Sequence, residues 1–348
     1  MNKIFLGCLI FIPAALAVHY LNLSPIIVFV ISALSIIPLA KFIGEATDEL
    51  AIHTGPALGG LLNATFGNAT ELIIGIFALR AGLIEVVKAS ITGSIIGNLL
   101  LVLGMAIFFG GVKFKKQELN RTAAMASAST LFLAVIALII PAIFLQTAPQ
   151  AGQSIIEKLS VAVAILMIAV YLSSLLFTLK THKHLYAEEV GKFEAKWSKG
   201  KSILILLIAT LAVAWMSQIL VGSIESVVKN LGWTELFIGV VFIAIIGNAA
   251  EHTSAIIMAL KNKMDLALQI SVGSATQMAM FVMPVLVLVS LLFRTQMSLI
   301  FNTFELIVIL LSIMIANLIV EDGETNWFEG LQLMVAYGII VVAFYFHP

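Results

Sequence analysis

Two acidic motifs stand inside apolar stretches of the chain. The first is Gly67-Asn68-Ala69-Thr70-Glu71, within the run from Leu58 to Leu79; the second is Gly247-Asn248-Ala249-Ala250-Glu251-His252. A carboxylate surrounded by hydrocarbon or dry protein costs free energy, so Glu71 and Glu251 are expected to face a bundle interior or a wet cavity and to serve a function there. Each Asn precedes its Glu by three residues, which on a helix puts Asn68 on the face of Glu71 and Asn248 on the face of Glu251. Gly67 and Gly247 weaken the helix just before, where a break or close backbone approach would release carbonyl oxygens as ligands. Carboxylate, amide and carbonyl oxygens make a hard site that suits calcium better than a soft metal. When the cation leaves, two facing carboxylates in a dry site repel each other and lose hydration. Protons are then expected to take the metal's place, and the coupled pair to titrate as a unit. His252 either carries a proton near neutral pH or donates to a carbonyl.

An offset of 180 aligns the two motifs and also pairs Gly93-Ser94 with Gly273-Ser274. Matched polar positions in an apolar background point to a duplicated unit. Downstream of the first motif come Ser90, Ser94 and Asn98, and downstream of the second come Ser271, Ser274 and Gln277. Ser94, Asn98, Ser274 and Gln277 are expected to line the same cavity as Gly67 and Gly247. For Ser90 and Ser271, helix packing with a bond to nearby backbone competes evenly with that role, and Gly93-xxx-Gly97 is itself a packing pattern.

The elements that must position these residues are transmembrane helices. The chain has 348 residues, 61% hydrophobic and 11% charged, with a mean hydropathy of +1.11, which excludes an ordinary soluble domain. Zero formal charge and the lack of a basic block give no sign of a nucleic-acid partner; the surroundings are a lipid bilayer. One cysteine, Cys8, offers neither a disulfide nor a thiolate cluster, and no cofactor is encoded. The expected fold is all-α, a polytopic bundle of eleven spans: 4–21, 25–43, 58–79, 84–109, 122–145, 155–179, 202–221, 235–260, 265–292, 299–320 and 328–346. The first run is read as a retained span, although its Ala15-Leu16-Ala17 triplet resembles a signal-peptide cleavage site. Glu85, Lys88 and Glu305 fall near span ends, where interfacial solvation is expected to suffice.

Assigning the 19 Lys and Arg to alternate sides puts fourteen on one side. Only Arg80, Lys88, Lys158, Lys229 and Arg294 fall on the other. The amino terminus is therefore expected in the cytoplasm and the carboxyl terminus outside. The motifs lie five crossings apart, so their helices run in opposite directions, as in the inverted repeats of secondary transporters. The expected organisation is an extra helix (1–24), a first five-helix repeat (25–180), a cytoplasmic linker rich in Lys (181–201) and a second repeat (202–348).

The stretches Gly60 to Ile73 and Gly247 to His252, with Gly273-Ser274-Ala275-Thr276-Gln277 and Val282-Met283-Pro284, resemble the calcium/proton exchanger family of the calcium/cation antiporter superfamily. The resemblance implies export or sequestration of calcium against an inward proton flow. It implies Glu71 and Glu251 as the central carboxylates, with Asn68, Asn248, Ser94, Asn98, Ser274 and Gln277 around them. The sodium/calcium branch looks different before its acidic residue, and vacuolar relatives tend to carry amino-terminal tails and acidic central segments that are not seen here. A prokaryotic plasma membrane is the expected home, and assembly as a homo-oligomer is left open. Exchange of manganese or sodium is the competing transport reading. An intramembrane metalloenzyme is the competing class, and it is disfavoured because neither His-Glu-x-x-His nor its inverse occurs. The protein is not expected to be an enzyme.

Overall fold

The computed structural model describes residues 7–150, 152–182 and 195–347; Lys3 and most of the expected linker, 183–194, lie outside them. In chain order the helices are α1 (Phe11–Tyr20), α2 (Pro25–Thr54), α3 (Pro56–Phe66), α4 (Ala69–Arg80) and α5 (Ile84–Phe114). After strand β1 (Lys116–Glu118) follow α6 (Arg121–Thr147), α7 (Gln153–Thr181), α8 (Lys199–Leu231), α9 (Glu235–Gly247), α10 (Ala249–Leu260), α11 (Met264–Ser290) and α12 (Thr303–Val320). Strand β2 (Glu324–Asn326) and α13 (Trp327–Phe346) complete the chain.

Among the described residues eight helices are long and apolar enough to cross a membrane singly, and the bent pair α9–α10 makes a ninth. The other two expected spans correspond to α1, whose ten described residues reach only about 15 Å, and to the pair α3–α4, interrupted at Gly67–Asn68. The fold is all-α, as expected, with one short ribbon added to the helices. β1 and β2 pair antiparallel, Lys116 opposite Asn326 and Glu118 opposite Glu324, and Lys116 forms an ion pair with Glu324. Strands of three residues are too short for alternation to show in sequence.

The chain forms two compact units, and they interleave the two halves of the sequence. One unit comprises Met1–Leu83 and Ser173–Glu235; the other comprises Ile84–Leu172 and Leu236–Pro348. In the first, α2 packs along α8. The buried residues of α2 (Phe29, Ser32, Ile36, Leu39, Ile43, Leu50) and of α8 (Leu206, Ala209, Val213, Met216, Leu220, Val227) recur at helical spacing, so each helix presents one continuous face. Hydroxyls on these faces bond within their own helix, Ser35 to the Ser32 carbonyl at 2.6 Å and Thr47 to the Ile43 carbonyl at 2.8 Å. At 30 and 33 residues both helices outrun the expected spans 25–43 and 202–221. Their ends carry charge, such as Lys41 paired with Glu45 at 3.8 Å, and the carboxylate of Glu49 accepts the amides of Lys196 and Trp197.

In the second unit α5 is the most enclosed helix, with 72% of its apolar window buried. Its end and the strap that follows are tied to the end of α10, the turn after it and the first residues of α11. Lys113 donates to the Leu260 carbonyl at 2.8 Å, Gln117 donates to Asn262 at 2.9 Å, and the Asn120 amide bonds Asp265. α5 and α11 therefore run antiparallel, as the inverted alignment of their Gly-Ser pairs requires. Two glycines let α5 meet α9 at backbone distance. A Cβ on Gly93 would fall on the Val240 carbonyl, and one on Gly239 would stand 2.5 Å from the Ala89 side chain and 2.8 Å from the Val86 carbonyl. Gly93→Ala should force the two backbones apart, costing about 1–3 kcal/mol and lowering the melting temperature of the purified protein. Gly338→Ala, where an added methyl meets open space, should leave it unchanged. Equal melting of both variants would contradict the close seam.

Candidate cation site

Both acidic motifs interrupt a helix at the same residue. α3 ends at Phe66 and α4 begins at Ala69; α9 ends at Gly247, α10 begins at Ala249, and the axis bends by 59° there. Asn68 (φ −107°, ψ 25°) and Asn248 (φ −91°, ψ 14°) share the sparsely populated bridge conformation. Among the described residues, the carbonyls of Thr65, Phe66 and Gly67, and those of Ile245, Ile246 and Gly247, accept no hydrogen bond from the amide four residues on. Gly67 keeps a helical φ; its lack of a side chain matters because a Cβ there would lie 2.5 Å from the Asn63 carbonyl. Glu71 and Glu251 each sit in the first turn of the helix after the break, where the helix dipole favours negative charge.

Asn-x-x-Glu at a helix start ordinarily reads as a capping box. Among the described residues two such boxes close. Asn302 accepts the Glu305 amide at 2.8 Å while Glu305 accepts the Asn302 amide at 3.2 Å, and Asn326 and Glu329 repeat the arrangement at 3.3 and 2.9 Å. Asn68 and Asn248 make no such cap. The side chain of Asn248 is used elsewhere. Its Nδ2 donates to Ser94 Oγ and to the Ala244 carbonyl, both at 2.9 Å. Its Oδ1 accepts from Asn98 Nδ2 at 2.8 Å and from Ser274 Oγ at 3.3 Å. Asn98 Nδ2 also reaches Ser274 Oγ at 2.9 Å.

These four buried side chains knit α5, the α9–α10 break and α11 together around a narrow cleft that His252 and Ile245 also line. Asn98 spends both amide hydrogens on this network, and its buried Oδ1 has no hydrogen-bond partner among the described residues. The cleft thus collects amide, hydroxyl and unladdered carbonyl oxygens, a donor set for a hard cation. Asn98 stands in a π-helical turn, Gly97–Val102, and a second one, Met278–Val282, falls at the corresponding point of α11 under the same offset of 180.

The structure distributes the expected residues unevenly. Asn248, Ser94, Asn98 and Ser274 form one network, with Gly247, Glu251 and His252 on the adjoining turns and Gln277 half-buried at the end of the α-helical part of α11. Gly67, Asn68 and Glu71 belong to the other compact unit, where Asn68 and Glu71 are buried. Ser90 and Ser271 bond carbonyls of their own helices, Val87 at 2.8 Å and Ala267 at 2.9 Å, which is the packing role.

Glu305 and Lys88 need a correction, because neither is solvated at an interface: they are 1% and 9% exposed. Glu305 accepts Thr92 Oγ1 at 2.9 Å and so fastens the start of α12 to α5. The signal was present in the sequence as a third acid opening an apolar run. It differs from the other two in closing its capping box.

A family model described as sodium/calcium exchanger protein matches residues 24–180 and again 201–346. The chain belongs to this family. Within the exchanger family it is similar to a Ca(2+)/H(+) antiporter of Synechocystis sp., at 47% identity over 100% of this chain and 98% of the relative. It is also similar to the Ca(2+)/H(+) antiporter ChaA of Bacillus subtilis, at 44% over 99% of each. The solved structure of native YfkE is 41% identical, with a TM-score of 0.87 over 99% of this chain and 100% of that one. The resemblance read from the motifs is therefore to the right family, and the chain is an integral membrane protein.

Asn326→Ala should lower stability by about 1 kcal/mol and leave transport intact. Asn248→Ala removes no cap but unpairs Ser94 and Asn98, and should reduce ion flux in vesicles at least tenfold in protein that remains folded. Flux that survives Asn248→Ala would contradict a role beyond the helix end.

Proposed function

We infer that the protein is a secondary antiporter that exchanges calcium for protons across a membrane. The observation that carries this reading is the full-length similarity, at 44–47% identity, to proteins named Ca(2+)/H(+) antiporters. The uncapped Asn at a broken helix, found in both halves, gives it a physical basis. Among the readings left open by sequence, those names favour calcium with protons over manganese or sodium, and transport over hydrolysis.

The mechanism follows from the donor set and from competition. Glu71 and Glu251 supply negative charge to one shared cation, and Asn68, Asn248 and the carbonyls at the breaks supply neutral oxygens. Ser94, Asn98, Ser274 and Gln277 line the cavity. Without the cation, the two carboxylates cannot stay ionised side by side in a low-dielectric site, so protons occupy them. Each facing of the site is then reached either with metal bound or with protons bound, and the empty ionised site seldom crosses because its charge would be buried unpaired. That restriction converts competition into obligatory exchange. His252 lines the cleft in the turn of Glu251, and in this scheme it accepts or passes a proton. Calcium and protons are cargo, and no resident cofactor takes part.

The alternation of basic loops supports an amino terminus in the cytoplasm, a carboxyl terminus outside and a prokaryotic plasma membrane as the location. Proteoliposomes with an imposed pH gradient and an internal calcium dye test the function directly. Glu71→Gln and Glu251→Gln should each reduce gradient-driven calcium movement to background in folded protein. Full transport by either variant, or wild-type movement that ignores the gradient, would refute the shared site.

A further inference from the structure

The first compact unit holds a cavity of about 650 Å³ lined by none of the cation-site residues. It lies at the turn between α1 and α2, beside the last turn of α4 and one face of α8. Trp215, Gln218, Ile219, Gly222 and Ser226 contribute the α8 face, each lying three or four residues from another of the set. The charge in the cavity is Arg80, with the titratable His19 at the α1 end; no carboxylate lines it. Among the described residues the side chains of Arg80, Gln218 and Ser226 enter no ion pair or hydrogen bond.

The sign of the charge is wrong for the exchanger's own cation and right for an anion. An arginine with no carboxylate beside it, flanked by amide and hydroxyl donors, matches a phosphate group, whose oxygens accept a bidentate guanidinium. The surroundings narrow the ligand further. Tyr20 and Leu21 are 67% and 70% exposed, and Leu211 and Trp215 on α8 are also exposed, so the polar cavity opens beside an apolar surface of the kind that lipid covers. Tyr and Trp at such a boundary mark headgroup depth, and a guanidinium at that depth can pair with a headgroup phosphate in whichever leaflet presents it.

We propose that this cavity binds a phosphate group through Arg80, Gln218 and Ser226, as presented by a glycerophospholipid headgroup or by free inorganic phosphate. For the lipid, the acyl chains would lie along the exposed side of Tyr20, Leu21 and Leu211.

Native mass spectrometry of the delipidated full-length protein tests this, with phosphatidylglycerol, diacylglycerol and inorganic phosphate titrated separately. Saturable binding of phosphatidylglycerol with none of diacylglycerol is expected, weakened about tenfold by Arg80→Gln, the loss of one charge-assisted contact, and only partly restored by Arg80→Lys, which keeps the charge but not the bidentate fork. Binding of inorganic phosphate with the same Arg80 dependence would identify the free anion as the source; phosphatidylglycerol binding that excess phosphate leaves undisturbed would identify the lipid. Gln218→Leu, on a different helix, should weaken the same ligand and serves where the Arg80 variants do not fold. Equal binding of phosphatidylglycerol and diacylglycerol, or wild-type affinity in both Arg80→Gln and Gln218→Leu, would overturn the proposal.

Discussion

A helix that stops inside hydrocarbon leaves carbonyls without their amides, and lipid offers them no replacement. Each such group costs several kcal/mol, so a break persists only where protein, water or an ion takes over the lost bonds. Here the break is made twice, at Asn68 and at Asn248, with the same backbone conformation and with an acid in the turn that follows. We propose that the unladdered carbonyls and the acids serve one cation. The carbonyls lower the cost of holding a cation, and the cation lowers the cost of holding ionised carboxylates. Removing the ion leaves protons as the other species that can neutralise the pair. Exchange is thus a consequence of what a low-dielectric interior tolerates.

The rest of the second unit keeps one of these breaks in place. Gly93 and Gly239 bring α5 and α9 to backbone distance, which is what allows Ser94 and Asn98 to reach Asn248. Asn98 projects from a widened helical turn, and a matching turn follows Gln277 in α11. Glu305, held by its own cap and by Thr92, fixes a further helix to α5. Among the described residues two Asn-x-x-Glu pairs close capping boxes and two leave the helix start uncapped, so the same short pattern has two different structural outcomes within one chain.

Much of this was legible in the sequence because membranes make polar residues conspicuous. Glu71 and Glu251 stand out in apolar runs, and their shared offset with the Gly-Ser pairs revealed the repeat and the antiparallel course of α5 and α11. What hydropathy could not read has physical causes. α2 and α8 extend past their apolar stretches because charged residues are tolerated where a long helix leaves the hydrocarbon. Ribbon β1–β2 is too short for a periodic signal. Glu305 looked interfacial because it lies near the start of its run, yet it is buried by α5, a contact between residues 213 apart in sequence. Gly239 carried no pattern of its own, since a close approach is visible only when the partner helix is in place. The uncapped state of Asn248 likewise depends on Asn98 and Ser94, 150 and 154 residues away.

The central claim is that calcium and protons occupy the same carboxylates in turn. The most direct measurement is proton release on adding calcium to purified protein in weakly buffered detergent, followed with a pH indicator while bound calcium is counted. Protons should be released in proportion to calcium bound, with less released per ion as the starting pH rises and the carboxylates begin unprotonated. Calcium binding that releases no protons at any pH would contradict the account.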